Sequence, residues 1–214
     1  MQEKVLIIGC GSQARYVIDI LNANNSHKII GAVDLESGYM LEKKINGVEV
    51  ICTLEGVVKK YDPEITRLIV AHGQISKKVQ AVEILLKHGF QFLSAISSLS
   101  SISPNSHLGF DCIVNPNVSI MPNVRIGNHV IIHSQSVIEH DNSIAEYCNI
   151  GPGVSLAGNV AIAERSYVYT GASIIPKVCI GKNCIIGAGS VVINDVKDNE
   201  VVAGVPAKTI GLNS

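Results

Sequence analysis

The feature that most constrains this chain is a six-residue repeat in its C-terminal half. An aliphatic residue recurs at every sixth position, for sixteen consecutive positions, from Ile102 to Val192. The residue four places after each aliphatic is also restricted to small types, with Asn142 the one amide. A period of six is neither that of a helix, about 3.6, nor the alternation of a simple strand. It predicts a parallel β-helix in which each repeat supplies a short strand and a tight turn.

The interior of this β-helix is expected to be narrow. Aromatic residues make up only 4% of the chain and Trp is absent, so few large rings need space. Cys112, Cys148 and Cys184 are spaced by 36 residues and share one class of inward position. No C-x-x-C motif occurs among the six cysteines. We therefore expect reduced, buried thiols rather than a metal cluster or disulfides.

Composition and charge exclude several classes of protein. No stretch of 18 uninterrupted apolar residues occurs, so no membrane span is predicted. The opening sequence MQEKVLIIGCGSQ lacks the basic start and cleavage site of a signal peptide. The net charge of −1 argues against nucleic acid as a partner. A cytoplasmic protein is the expectation.

The N-terminal half follows a pattern typical of a small α/β unit. Val5–Ile8 is a buried-strand run, followed by Gly9, Gly11 and Ala14 in a G-x-G-x-x-A motif that opens a helix. A second strand ends at Asp34. This spacing matches a dinucleotide fingerprint, with a phosphate near the helix N-terminus and an acid on a ribose. Alone, the motif is weak evidence for a nucleotide.

The remaining N-terminal elements decide between nucleotide types. A third strand is predicted over Arg67–Gly73, a helix over residues 77–89 and a last strand over residues 90–96. The unit would then hold about four strands, whereas a complete dinucleotide domain needs roughly six. A mononucleotide-type ligand is favoured over NAD.

The combination of a short G-x-G-type α/β unit and an uninterrupted hexapeptide repeat resembles the PglD/NeuD-type sugar acetyltransferases of bacterial glycan pathways. The repeat is similar to the left-handed β-helix of hexapeptide-repeat acyltransferases, and Val201–Gly211 is similar to the family's terminal V-x-G-x-P-A-K segment. The resemblance implies about five coils of three rungs each. It implies a Rossmann-like sugar-nucleotide-binding domain with a parallel sheet over residues 1–97, a left-handed parallel β-helix acetyltransferase domain over 98–196, and a capping segment over 197–214. It also implies a homotrimer with active sites between subunits.

The activity that this family implies is acetyl transfer from acetyl-CoA to the amine of a UDP- or GDP-linked 4-amino-sugar, with no metal. In the family, a histidine in an EH[ED] segment is the general base, and the acid after it raises its basicity. The matching residues are Glu139, His140 and Asp141. Imidazole suits the role because it can accept a proton at neutral pH. Neighbours on a strand point to opposite faces, so Asp141 reaches the imidazole only if the chain turns there, and Glu139 and Asn142 remain rivals.

The resemblance also implies ligand contacts on both halves of the chain. Acetyl-CoA contacts align with Asn149, Thr170 and Ala188, and Asn149 stands where the family often has a histidine. An asparagine amide could still donate to the thioester carbonyl. The substrate contacts align with residues of the α/β unit, where Gln13 replaces the family's usual histidine: Gly11, Ser12, Gln13, Asp34 and Gly73.

Four alternatives remain open. Within the family, sialic acid O-acetyltransferases would use the same base on a hydroxyl. A non-catalytic trimeric scaffold with a nucleotide-sensing head would leave Glu139, His140 and Asp141 incidental. A zinc carbonic anhydrase of the same fold needs three converging histidines, and the spacings here do not resemble that set. An NAD-dependent reductase would explain less than half of the chain.

Overall fold

The computed structural model describes residues 2–25, 27–35 and 40–213. The chain folds as two units, Met1–Ser97 and Ser98–Ser214. Each unit has its own hydrophobic core, of the kind that its sequence pattern predicts.

The first unit is a parallel-sheet α/β fold. The apolar runs Val5–Ile8 and Leu68–Val70 are buried on both faces, as in a sheet covered on both sides. The elements follow one another as β1 (Glu3–Ile8), α1 (Ser12–Asn24), β2 (His27–Asp34), β3 (Lys44–Ile45), β4 (Val48–Thr53), α2 (Leu54–Lys60), β5 (Thr66–Val70), α3 (Ile75–Lys87), β6 (Gln91–Phe92) and β7 (Ala95–Ile96).

The sheet of this unit has the strand order β3-β4-β2-β1-β5-β6 among the described residues. Among these six described strands, only β3 is antiparallel to its neighbour. The prediction of about four strands was too low, because it missed β3, β4 and α2 between Lys44 and Lys60. The predicted last strand is also two short strands separated by Leu93 and Ser94.

The second unit is a triangular prism of two-residue strands, and the sixteen predicted rungs are all present. The first wall consists of β8 (Ser101–Ile102), β11 (Ser119–Ile120), β14 (Val137–Ile138), β17 (Ser155–Leu156), β20 (Ser173–Ile174) and β23 (Val191–Val192). The second consists of β9 (His107–Leu108), β12 (Arg125–Ile126), β15 (Ser143–Ile144), β18 (Ala161–Ile162) and β21 (Cys179–Ile180). The third contains β10 (Ile113–Val114), β13 (Ile131–Ile132), β16 (Asn149–Ile150), β19 (Tyr167–Val168) and β22 (Ile185–Ile186).

Each coil of the prism takes 18 residues, so parallel pairing joins residues 18 apart, such as Ile120 and Ile138. The second strand residue of each rung points inward, and Ile132, Ile138 and Ile150 are fully buried. The architecture is that of a left-handed β-helix. The chain ends in β24 (Glu200–Gly204), which pairs with β22, and the antiparallel β25 (Ala207–Leu212).

The turns between walls repeat one backbone conformation. One residue of most corners has a φ near +60°, as at Asn123, Asp141 and Asn159. Asn, Asp and Gly tolerate this left-handed region better than other residues. This requirement explains why Asn and Gly recur between the aliphatic positions of the sequence.

Candidate active site

The first candidate surface is the edge of the N-terminal sheet where β1, β2 and β5 end. The Gly9 N–H donates to the Val33 carbonyl at 2.9 Å, and the Ala71 N–H donates to the Ile8 carbonyl at 2.8 Å. Gly9 has a φ of +127°, and a Cβ there would lie 2.5 Å from the Ala71 carbonyl oxygen. Since β1 has β2 on one side and β5 on the other, this edge is a topological switch point, where open α/β sheets bind ligands.

Four of the predicted substrate residues lie at or beside this edge. Gly11 is the N-cap of α1, and Ser12 and Gln13 open the helix. Gly73 follows β5, and a Cβ at that position would lie 3.7 Å from Cγ of Gln13. The fold thus brings Gln13 and Gly73 together beside a helix N-terminus, whose backbone N–H groups can hold a phosphate.

Asp34, the fifth predicted substrate residue, ends β2 and is buried. Its Oδ2 accepts a hydrogen bond from the Met40 N–H at 3.1 Å. One oxygen of this carboxylate is therefore engaged by the chain's own backbone.

The second candidate surface is the corner of the prism between the first and second walls, which we call the histidine corner. It carries Glu139, His140, Asp141 and Asn142, between β14 and β15. His140 Nδ1 lies 2.7 Å from Asp141 Oδ2, and both side chains are about half exposed. The left-handed turn at Asp141, with a φ of +60°, bends the chain and makes this contact between sequence neighbours possible.

The two rival partners of His140 are not bonded to its ring. The Asn142 side chain points inward and is buried, with Nδ2 donating to the Glu139 carbonyl at 2.7 Å. Its Oδ1 accepts from the Val160 N–H of the next coil. Asn142 therefore joins two coils below the corner instead of orienting the imidazole.

The electrostatics of the corner follow from these contacts. The hydrogen bond with His140 lowers the pKa of the Asp141 carboxyl, and a second hydrogen bond, from Asn123, lowers it further. Asn123 Nδ2 donates to Asp141 Oδ1 at 3.0 Å. Because a carboxylate only accepts, the His140 Nδ1 must carry the proton, which leaves Nε2 as the acceptor of the neutral imidazole. Asn123 was missed in the sequence, since it is one coil away from Asp141.

The predicted acetyl-CoA residues lie elsewhere on the prism. Thr170 and Ala188 are 18 residues apart and stack at the corner between the third and first walls, which we call the glycine corner. Both are exposed. Within one chain, the full width of the first wall separates this corner from the histidine corner, so the fold does not bring these residues to His140.

The glycine corner owes its name to three residues that the sequence analysis did not single out. Gly153, Gly171 and Gly189 stack there with φ values of +66°, +69° and +65°. An ideal Cβ on any of them would meet no atom within 4 Å. A bare backbone column with open space beside it allows an elongated ligand to approach closely. The 18-residue spacing of these glycines was the signal available in the sequence.

Asn149 lies on the third wall and is buried, unlike Thr170 and Ala188. The Asn149 side chain is hydrogen-bonded to His133. Burial lowers the pKa of His133, and the hydrogen bond from Asn149 raises this pKa and partly offsets the effect of burial. The Asn115 amide lies 3.4 Å from His133 Nδ1. These three side chains form a buried polar cluster on the outer side of one wall.

His129 forms a second buried pair. Its Nδ1 lies 2.8 Å from Asp111 Oδ2, and its ring stacks on Tyr147 with 4.6 Å between centroids.

Over residues 2–25, 27–35 and 40–213, no three His, Cys, Asp or Glu side chains come close enough together to share a metal ion. In the same part of the chain, no helix has the length and apolar character needed to cross a membrane.

Comparison with known proteins agrees with both halves of this description. Residues 4–85 match the family model of the PglD N-terminal domain, and residues 105–140 match the bacterial transferase hexapeptide model. The prism and the preceding sheet define a hexapeptide-repeat transferase with an N-terminal PglD-type domain.

Three relatives are similar over most of their length. A perosamine N-acetyltransferase from Caulobacter crescentus, solved with CoA and GDP-perosamine, is 33% identical, with a TM-score of 0.91 over 97% of both chains. The acetyltransferase domain of PglB from Neisseria gonorrhoeae, solved with acetyl coenzyme A, is 27% identical, with a TM-score of 0.90 over 98% of this chain and 100% of that one. GDP-perosamine N-acetyltransferase from Escherichia coli O157:H7 is 30% identical over 147 residues, which is 66% of this chain and 64% of that enzyme. The chain belongs to the PglD-type sugar acetyltransferase family.

Proposed function

We propose that this protein transfers the acetyl group of acetyl-CoA to the amine of a nucleotide-linked 4-amino-sugar, with His140 as the general base. The observation that carries the proposal is the His140–Asp141 pair, 2.7 Å apart at an exposed corner of the prism. Variants of the Caulobacter crescentus relative with alanine or asparagine in place of one histidine were also solved with CoA and GDP-perosamine.

The chemistry follows from the orientation of the imidazole. The sugar amine attacks the thioester carbonyl carbon, and Nε2 of His140 takes the proton that the amine loses as the new C–N bond forms. The C–S bond then breaks, and the sulfur of CoA receives that proton from Nε2, so CoA leaves as the thiol. Asp141 accepts from Nδ1–H throughout and stabilises the positive charge that the ring acquires. Such a base contributes about 10²–10⁴-fold to the rate.

The ligands would occupy two surfaces. The nucleotide would lie at the switch point of the N-terminal sheet, near Gln13, Asp34 and Gly73. A GDP-linked sugar is the first acceptor to test, since two relatives are named for GDP-perosamine. Acetyl-CoA would run along the glycine corner, beside Thr170 and Ala188.

A homotrimer would bring the histidine corner of one subunit next to the glycine corner of another. Because the first wall separates His140 from the glycine corner in one chain, a site that uses both needs the histidine corner of one subunit and the glycine corner of the next. Such a heterologous contact closes into a ring with one site per interface.

The first experiment measures acetylated sugar by mass spectrometry for GDP-perosamine, UDP-linked 4-amino-sugars and free sialic acid. We expect turnover of a nucleotide-linked amino-sugar, and we expect His140→Ala to lower the rate by about 10²–10⁴-fold. The control is His88→Ala, which replaces an exposed histidine on the N-terminal unit and should keep the wild-type rate. Turnover of sialic acid alone would move the acceptor to a hydroxyl. Turnover that survives His140→Ala would remove His140 as the base, and no turnover of any acceptor would favour the scaffold.

The second experiment tests the shared site. His140→Ala and Ala188→Arg are each expected to be inactive as pure proteins. In trimers assembled from both, some interfaces would combine the intact His140 of one subunit with the intact Ala188 of its neighbour, so activity should return. Mixed trimers as inactive as the parents would contradict a site made of two subunits.

A further inference from the structure

The histidine corner recurs once per coil, every 18 residues. The positions equivalent to His140 are Pro104 and Pro122 before it and Gly158 and Pro176 after it. The register is set by the backbone: the Asp141 N–H donates to the Pro122 carbonyl at 3.1 Å, and the Asn159 N–H donates to the His140 carbonyl at 3.0 Å. The coil on each side of His140 therefore presents defined neighbours to its side chain.

On one side, Gly158 leaves room for the imidazole. A Cβ on Gly158 would lie 2.6 Å from Cε1 and 2.7 Å from Nε2 of His140. The backbone does not require glycine here, because Gly158 is not among the residues with a positive φ. Prolines at the equivalent positions 104, 122 and 176 also show that this turn accepts a Cβ. The His140 ring occupies the space that any side chain at position 158 would need.

On the other side, Asn123 holds the carboxylate. Its Nδ2 donates to Asp141 Oδ1 at 3.0 Å, while Asp141 Oδ2 contacts His140 Nδ1 at 2.7 Å. Asn123 and Asp141 share the left-handed conformation, with φ values of +63° and +60°. One oxygen of the carboxylate is thus fixed by the preceding coil, and the other is left in place for the imidazole.

We propose that Gly158 and Asn123 are positioning residues for the His140–Asp141 pair. Gly158 sets where the imidazole lies, and Asn123 fixes the carboxylate that holds its Nδ1–H. Together they keep Nε2 directed to the substrate amine. The proposal rests on the proposed function for its catalytic consequence, but its geometric content can be measured without substrate.

Gly158→Ala tests the first half. The added Cβ displaces the ring, and we expect kcat to fall by about 10²-fold, as for a misplacement of about 1 Å, with the KM for acetyl-CoA within about twofold. Because the atoms it meets belong to an exposed side chain, the melting temperature should not change. Gly211→Ala is the control, since a Cβ there meets no atom within 4 Å. In a His140→Ala background, Gly158→Ala should cost nothing further in activity. A kcat within twofold of wild type would overturn this half.

Asn123→Gly tests the second half, since glycine keeps the left-handed turn and removes the amide. We expect kcat to fall by about 3- to 10-fold, the equivalent of one hydrogen bond. Asn183→Gly is the control, because Asn183 also has a positive φ, of +54°, and its Nδ2 donates to Asn199 Oδ1 at 2.9 Å. It lies at the corner between the second and third walls, away from both the histidine corner and the glycine corner. An unchanged kcat in Asn123→Gly, or an equal loss in the control, would overturn this half.

Nitrogen-15 NMR of the histidine side chains separates this proposal from the proposed function. In the free wild type, we expect His140 in the Nδ1–H tautomer, and a more mixed tautomer population in Gly158→Ala and Asn123→Gly. If the wild type acetylates no acceptor but the tautomer shifts as expected, the proposed function fails and the positioning stands. If both variants keep the wild-type tautomer population, the positioning roles fail whatever the activity.

Discussion

Asn142 offers the sharpest test of how the prism supports the histidine corner. Its buried amide donates to the Glu139 carbonyl at 2.7 Å and accepts from the Val160 N–H of the next coil. In Asn142→Ala, both backbone groups lose this partner. Leaving the buried Val160 N–H unsatisfied costs about 1–3 kcal/mol, and losing the hydrogen bond of the part-buried Glu139 carbonyl costs about 0.5–1.5 kcal/mol, so the free energy of unfolding should fall by about 1.5–4.5 kcal/mol.

Serine is the matched variant, because it differs from alanine by one hydroxyl. Serines elsewhere in the prism make each of the two bonds: Ser136 donates to the carbonyl of His133, three residues before it, at 2.8 Å, and Ser166 accepts from the Cys184 N–H of the next coil at 3.0 Å. Asn142→Ser should therefore recover about 1–3 kcal/mol relative to Asn142→Ala, from two hydrogen bonds of about 0.5–1.5 kcal/mol each.

The assay is urea unfolding followed by far-UV circular dichroism at one fixed protein concentration, because association of subunits changes apparent stability. Native-state hydrogen exchange at the Val160 amide adds a local reading, and exchange there should accelerate in the alanine variant. Equal stability of the alanine and serine variants would refute the reasoning, since the side-chain hydrogen bonds would then contribute nothing.

Two further predictions concern titratable groups. Burial raises the pKa of Cys148 to about 12, so only about one Cys148 thiol in 10⁴ is ionised at pH 8. Iodoacetamide should therefore label the exposed Cys179, while Cys148 should stay unlabelled until the protein unfolds. Peptide mass spectrometry checks this, and equal labelling of both in the native protein would contradict it. For Asp141, hydrogen bonds from His140 and Asn123 lower the native pKa, so its stabilising contribution is complete above the unfolded pKa of about 3.9 and is lost as the pH falls through the native pKa. The difference in melting temperature between wild type and Asp141→Asn should be present at pH 7 and shrink in acid, and a difference independent of pH would contradict the assignment.

The prism could be predicted in detail because its pattern is local. Every rung carries its own aliphatic residue and turn, so sixteen positions from Ile102 to Val192 each report the same structure. The N-terminal sheet was predicted less completely. β3 has two residues and is a strand only because it pairs antiparallel with β4. No local sequence pattern near Lys44 predicts this pairing.

The candidate site shows the same division at the level of single residues. The sequence picked out His140 but left Glu139, Asp141 and Asn142 as possible partners, since strand alternation alone separates neighbouring side chains. The left-handed turn at Asp141 decided between them, because it places the carboxylate beside Nδ1 and sends Asn142 into the core.

By itself, then, the sequence determined the six-residue rung, the inward aliphatic positions and the histidine at its turn, all of which are properties of consecutive residues. Only the tertiary structure decided which residues meet along the prism axis, because those contacts join positions 18 apart and exist once three walls have closed into a coil. Asn123 and Gly158 flank the His140–Asp141 pair because they lie one coil before and one coil after it. The glycine corner is separated from the His140–Asp141 pair because it lies at the opposite edge of the first wall.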